Sequence, residues 1–268
     1  MKTSILTTLF ATSTVLASVL ALAAPVKAFS WNNSWTQPTI RSKTEIGFDD
    51  APFQKFVQAE RIQLPGAGQF LLDPSKLFLK YEHEVKVHFI NEGAGYRNQL
   101  AFEATGATNA SGLVFSDISS TEAIGNWGGD ALKLGDTVSL GKMAAGTQLD
   151  FWLRADGYNG GTNIFGTKTA SNLDRLQHVV AYAYRNYLIL GFEDLYGDLW
   201  AQGIDPLTGI ANENSDRDFN DVVVVVDIGE ANVRELTGVP EPTMVMALAA
   251  TGLMGALGLR RRLRVPEA

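Results

Sequence analysis

Residues 191–229 read GFEDLYGDLWAQGIDPLTGIANENSDRDFNDVVVVVDIG, and this stretch decides how the chain is understood. It gathers Glu193, Asp194, Asp198, Asp205, Asp216, Asp218 and Asp221 with Asn212, Asn214 and Asn220, then runs into five consecutive valines. Val222 to Val226 is apolar at both parities, as a central strand covered on both faces would be. Carboxylates packed at this density repel one another unless solvent or a cation intervenes. The stretch therefore predicts a buried strand with a cation-binding loop at its entrance.

Working outward, the same period of two recurs. Val180, Tyr182 and Tyr184, then Leu188, Leu190 and Phe192, alternate on either side of Arg185 and Asn186 and predict a hairpin. Leu149, Phe151 and Leu153 alternate with Asp150, Trp152 and Arg154 in another strand. Leu77 to Tyr81 and Val85 to Phe89 predict either an antiparallel pair joined at Glu82 to Glu84 or one long bulged strand, with His83 and His88 on opposite faces and solvated. Shorter strands are expected at residues 99–104, 112–116 and 137–140, between clusters of Gly, Asn, Ser and Asp. Asp49, Asp50 and Pro52 open one short amphipathic helix through Phe53, Phe56 and Val57, ending near Pro65. Short strands with turns every eight to twelve residues predict an all-β body, an antiparallel β-sandwich of jelly-roll-like form.

Calcium is the cofactor this loop predicts, because it takes about six to eight oxygens from carboxylates, amides and carbonyls. Asn214, Asp216, Asp218 and Asn220 recur at every second residue, and Glu193 and Asp194 at the end of the preceding strand can close the site. An EF-hand is excluded: Asp221 stands where that loop needs Gly, and a valine strand replaces the exiting helix. The competing reading is that these side chains cap turns or pair with Arg217. Transition metals are disfavoured, since cysteine is absent and His178 is the only histidine close by in sequence. No nucleophile elbow is present and no carboxylate is singled out as an acid, so an enzyme is not expected. Trp127, Trp152 and Trp200 keep a carbohydrate-binding reading open.

Both ends read as trafficking signals. Residues 1–28 carry Lys2, an apolar run and the small-residue exit Val26, Lys27, Ala28, which predicts a cleavable secretory signal. Residues 29–238 form the predicted exported domain. At 239–268, Pro240, Glu241 and Pro242 precede an apolar run and then Arg260, Arg261, Arg262 and Arg264, predicting one transmembrane helix with its arginines cytoplasmic. From Phe29 to Pro240 there are 27 acidic against 16 basic residues, a balance that excludes nucleic acid as a natural partner. With no cysteine in 268 residues, the exported body has to hold together without disulfides.

Two resemblances follow from these residues. The order Pro240-Glu241-Pro242, apolar helix, arginine cluster resembles the PEP-CTERM sorting signal of Gram-negative bacteria. That resemblance implies recognition and cleavage by an exosortase-type sorting protease, with delivery from the membrane to the cell surface or extracellular polymer. GFEDL at 191–195 and SDRDFNDVVVVV at 215–226 look like the bacterial domain of unknown function numbered 4114, whose characteristic residues match here as Gly191, Phe192, Glu193, Asp194, Asp216, Asp218, Asn220 and Asp221. The insertion from Tyr196 to Asn214 is long for the link between the two motif halves. The resulting expectation is an exported, calcium-stabilised structural or adhesion protein with Glu193, Asp194, Asp216, Asp218, Asn220 and Asp221 on the metal. A calcium-dependent carbohydrate-binding module and a polysaccharide hydrolase are the alternatives, with extracellular polysaccharide as the expected polymer partner.

Overall fold

In a computed structural model, residues 29–238 are described except 58, 60, 65–69 and 126. Phe29 and Ser30 fall in a separate N-terminal unit, so the account concerns the unit from Trp31 onward. The signal peptide and the C-terminal membrane helix expected from sequence lie outside the described residues. Among the described residues, no helix is long and apolar enough to cross a membrane.

The strands are β1 (Phe70–Leu72), β2 (Leu77–Leu79), β3 (His83–Asn91), β4 (Asn98–Gly106), β5 (Ala110–Ile118), β6 (Thr137–Met143), β7 (Thr147–Arg154), β8 (Ile164–Gly166), β9 (Val179–Tyr184), β10 (Tyr187–Phe192) and β11 (Val222–Asp227). Among the described residues there are three α-helices, α1 (Lys43–Ile46), α2 (Ala51–Gln54) and α3 (Glu230–Thr237), besides three single 3-10 turns. One antiparallel sheet has the order β1-β9-β10-β11-β3-β6, and the other runs β2-β7-β4-β5 with β8 paired to β7. Leu77, Leu100, Val114, Phe151, Phe89, Leu190 and Val224 belong to one buried cluster, so the two sheets share a core in the manner of a sandwich.

The first sheet is covered on its outer face as well. Val222, Val224 and Val226 point into the shared core, whereas Val223 and Val225 join Phe53, Phe56, Val57, Leu64, Ile90, Tyr182 and Phe219 in a second cluster. This double cover is why the valine run shows no alternation. The hairpin is realised with Val179 opposite Phe192 and Tyr184 opposite Tyr187.

Four expectations change. β2 and β3 are neither a hairpin nor one strand, since each enters a different sheet and the turn between them is the crossover. His88 is buried rather than solvated, stacked on Phe48 at 3.8 Å, and burial lowers it to about 4. The helix expected near residue 50 is a single turn, while α3 has no counterpart in the sequence reading. Trp152 is buried, because β8 pairs beside it and Gly166 opposite leaves room for the indole ring, which a Cβ there would strike.

α3 packs Val233 into the shared core and is bonded to the turn after β2 through Asn232. Asn232 Oδ1 accepts from the backbone amides of Lys80 and Tyr81, both at 2.8 Å, and its amide donates to the carbonyls of Tyr81 and Ile228. The helix ends on Gly238, whose φ of 67° suits a residue without a side chain.

The core assignment has a direct check. Leu190→Ala, at a fully buried position, is expected to cost about 2–5 kcal/mol in urea unfolding, and Leu207→Ala, at an exposed one, less than about 0.5 kcal/mol.

Candidate functional site

The two motif halves meet at the entrance to β11. Residues 193 and 194 continue β10, residues 215–221 form the loop that leads into β11, and β10 pairs with β11 through Phe192 opposite Val222. Gly191 is required for this approach. A Cβ there would strike the carbonyl oxygen of Phe219 and lie 2.6 Å from Leu64 Cδ2, so any side chain would lift the loop off the strand.

The loop is held in an uncommon backbone shape. Asn214, Arg217 and Phe219 have φ of 60°, 55° and 60°, in the left-handed region that non-glycine residues rarely adopt. Phe219 is kept there because its ring is buried in the outer cluster. Two long-range bonds fix the loop further: Leu64 N donates to Asp218 O at 2.8 Å, and Gly93 N donates to Asn220 O at 3.0 Å.

This frame brings Glu193, Asp218 and Asp221 together, with one carboxylate oxygen of each within 4.8 Å of the others, all three buried. Asp221 accepts from the backbone N–H of Asp194 at 2.8 Å. Asp218 accepts from the Asn220 backbone N–H at 2.9 Å and from its side-chain amide at 2.6 Å. Glu193 Oε1 accepts from the Ser215 hydroxyl at 2.7 Å. Two buried acceptors, Glu193 Oε2 and Asn220 Oδ1, face no donor. An unmatched carboxylate oxygen in the interior is costly without a proton or a cation.

Three further expected residues take distinct positions. Asp194 is buried beside the trio and accepts from the Asn98 side-chain amide at 2.6 Å. Asn220 is buried with its amide donating to the carbonyls of Ala59 and Ile62. Asp216 sits outside the trio, half-buried, with Arg61 Nε at 4.0 Å from Oδ2. Asp205 is elsewhere, engaged by the hydroxyls of Tyr196 and Thr208.

The electrostatics follow the crowding. Burial pushes the Glu193 carboxyl up to about 7, and the charges of Asp216 and Asp218 add to it against the Ser215 bond and Arg217. Burial raises Asp218 to about 6, with Asp216 contributing. Asp221 is driven well above the usual carboxylate range, by burial first and then by the charges of Asp194 and Glu193.

Sequence reasoning missed Ser215 and Glu92. Glu92 closes β3, accepts from Ser120 N at 2.9 Å, leaves Oε2 unmatched, and is raised to about 8 by burial, then by Asp117 and Asp194. The only signal for it was a lone acid directly after an apolar strand. His178 is not an open ligand: its Nδ1 bonds Glu193 O at 3.0 Å and its Nε2 Asp174 Oδ2 at 2.8 Å, with the ring stacked on Phe165.

The insertion between the motif halves is an ordered arm. Pairings of Trp200 with Ser215, Ala201 with Asn214, Gly203 with Asn212 and Asp205 with Ile210 zip residues 200–215 into a narrow ladder, and Glu213 N reaches across its base to Tyr196 O. Its length therefore leaves the two motif halves in register.

A carboxyl raised on folding contributes most below its unfolded value, and that contribution is lost as pH rises through the folded value. In chelator, the raised Glu193 and Glu92 draw stability down from their unfolded values upward, His88 opposes this up to about pH 6.5, and the net fall is therefore expected between about pH 6.5 and 8. Glu193→Gln is expected to flatten that slope and to stabilise the metal-free protein at about pH 8 by on the order of 2 kcal/mol, measured by urea unfolding.

The family model described as Domain of unknown function (DUF4114) matches residues 143–229, and the PEP-CTERM protein-sorting motif matches residues 238–262. The first match spans β7 to β11 and contains the whole carboxylate trio, whereas Glu92 and Asn98 lie before it. The second implies an exported chain held at the membrane and processed by an exosortase. No curated protein and no solved structure matches the chain.

Proposed function

We propose that this chain is a non-enzymatic cell-surface or extracellular-matrix protein whose sandwich is locked by a calcium ion between Glu193, Asp218 and Asp221. The observation that carries the ion is the unmatched Glu193 Oε2 inside a buried group of three carboxylates. Asn220 Oδ1 adds a second oxygen without a donor, and the donor set is entirely oxygen, which suits calcium over zinc or copper. Calcium would supply the positive charge that lets the three carboxylates ionise together, so its binding adds to folding stability. Burial of the trio favours a structural ion over catalysis, because a polymer cannot reach these oxygens.

The sorting motif supports export and release. Pro240, Glu241 and Pro242 would carry the processing site, with Arg260, Arg261 and Arg262 holding the tail on the cytoplasmic side until cleavage. A second reading, calcium-dependent carbohydrate binding, draws on Trp127 and Trp200, which expose half or more of their surface. Trp152 no longer contributes to it.

Millimolar calcium is expected to raise the melting temperature over chelator, by the equivalent of about 2.7 kcal/mol at a hundredfold excess over Kd. Glu193→Gln with Asp218→Asn should abolish that difference, and an unshifted parent protein would refute the ion. Mass spectrometry of surface material should find chains ending within or beside Pro240–Pro242; intact chains through Ala268 would refute processing.

A further inference from the structure

The arm and the opposite end of the same sheet are complementary. The arm, residues 196–214, carries Leu199, Trp200, Ile204 and Leu207 as exposed large apolar side chains, and Leu207 at its tip is 93 % exposed. Its polar residues include Asp198, Asp205 and Glu213 and no Lys or Arg, although Arg175 lies beside the tip. Being zipped by backbone bonds, the arm already has the shape in which it would bind, so little ordering entropy would be lost.

At the other end of β9 and β10 is a pocket lined by Phe70, Ala183, Tyr184, Arg185, Val233, Arg234 and Thr237. Phe70 and Leu71 of the edge strand β1 are exposed beside it. The two charged residues that line it, Arg185 and Arg234, are basic where those of the arm are acidic. Lys55 Nζ donates to the Tyr184 hydroxyl at 2.9 Å and lies 4.7 Å from that ring's centre, and the Arg185 guanidinium lies 5.5 Å from the same ring. Arg234 is bridged to Glu230 at 2.9 Å.

The two surfaces sit at opposite ends of one hairpin: the arm leaves beyond Phe192, which pairs with Val179, while Arg185 lies in the turn between Tyr184 and Tyr187. We propose that the acidic, apolar arm of one copy docks in the basic, apolar pocket of the next, joining copies head to tail. Because the contact is heterologous, each copy keeps a free arm or pocket for a further copy, so the contact propagates from copy to copy instead of pairing one patch with itself. Charge complementarity selects a second copy over an anionic membrane, which the arm's carboxylates would disfavour.

The chain has no cysteine, so the contact can be read by engineered disulfides in the full-length chain in detergent micelles. Leu207→Cys mixed with Thr237→Cys is expected to give an oxidised two-chain species that neither variant gives alone. The double variant should give a ladder. Arg185→Glu on the pocket side should lower the mixed yield about threefold to tenfold. A two-chain species from Leu207→Cys alone, equal yields in all three samples, or none in the mixture while circular dichroism shows folded protein would each overturn the proposal.

Discussion

Three carboxylates are forced out of water at the entrance to β11, and much of the site's architecture follows from how they are held there. Glu193, Asp218 and Asp221 would separate if the loop were free, since burial and mutual repulsion both act against their ionised forms. The loop is not free. Phe219 is pinned in the outer core, Asp218 and Asn220 are bonded through their carbonyls to Leu64 and Gly93, and Gly191 lets the loop lie directly on β10. Core packing thus holds a charge arrangement that electrostatics alone would disperse.

The same constraint gives the long insertion its form. Its roots touch the site on both sides, Tyr196 N bonding to the Glu213 carboxylate and Trp200 N to Ser215 O, while the Ser215 hydroxyl reaches Glu193. An excursion with fixed roots and paired backbone is an ordered element rather than a slack loop: Tyr196 and Ile210 pack against Ala155 and Phe165, while Leu199, Trp200, Ile204 and Leu207 remain exposed.

Much of this was legible in the residues. The unbroken valine run announced a strand covered on both faces, and the period of two on either side of Arg185 and Asn186 announced the hairpin before it. Glu193, Asp218 and Asp221 were among six residues that the spacing picked from the cluster, with Asp194, Asp216 and Asn220, but which three carboxylates converge was not legible along the chain. What could not be read was tertiary. β2 and β3 alternate like a hairpin, and nothing local says that the turn between them changes sheets. Trp152 and His88 carry the polar handles of exposed side chains, and only distant segments, β8 and the Phe48 region, bury them. Glu92 and Asn98 reach the acidic cluster from strands a hundred residues earlier, which spacing along the chain cannot reveal.

β11 begins at the carboxylate trio and ends at α3, with about 17 Å of extended chain between them. Its neighbours β10 and β3 are both antiparallel to it and bonded along its length. A pull applied at the C-terminal side of α3 and resisted at the arm would therefore be carried along the covalent backbone of this one strand, while its ladder bonds to β10 and β3 hold it in the sheet. The ion proposed at its entrance would join the strand to the end of β10 where that tension arrives, sharing the load between two middle strands of the sheet.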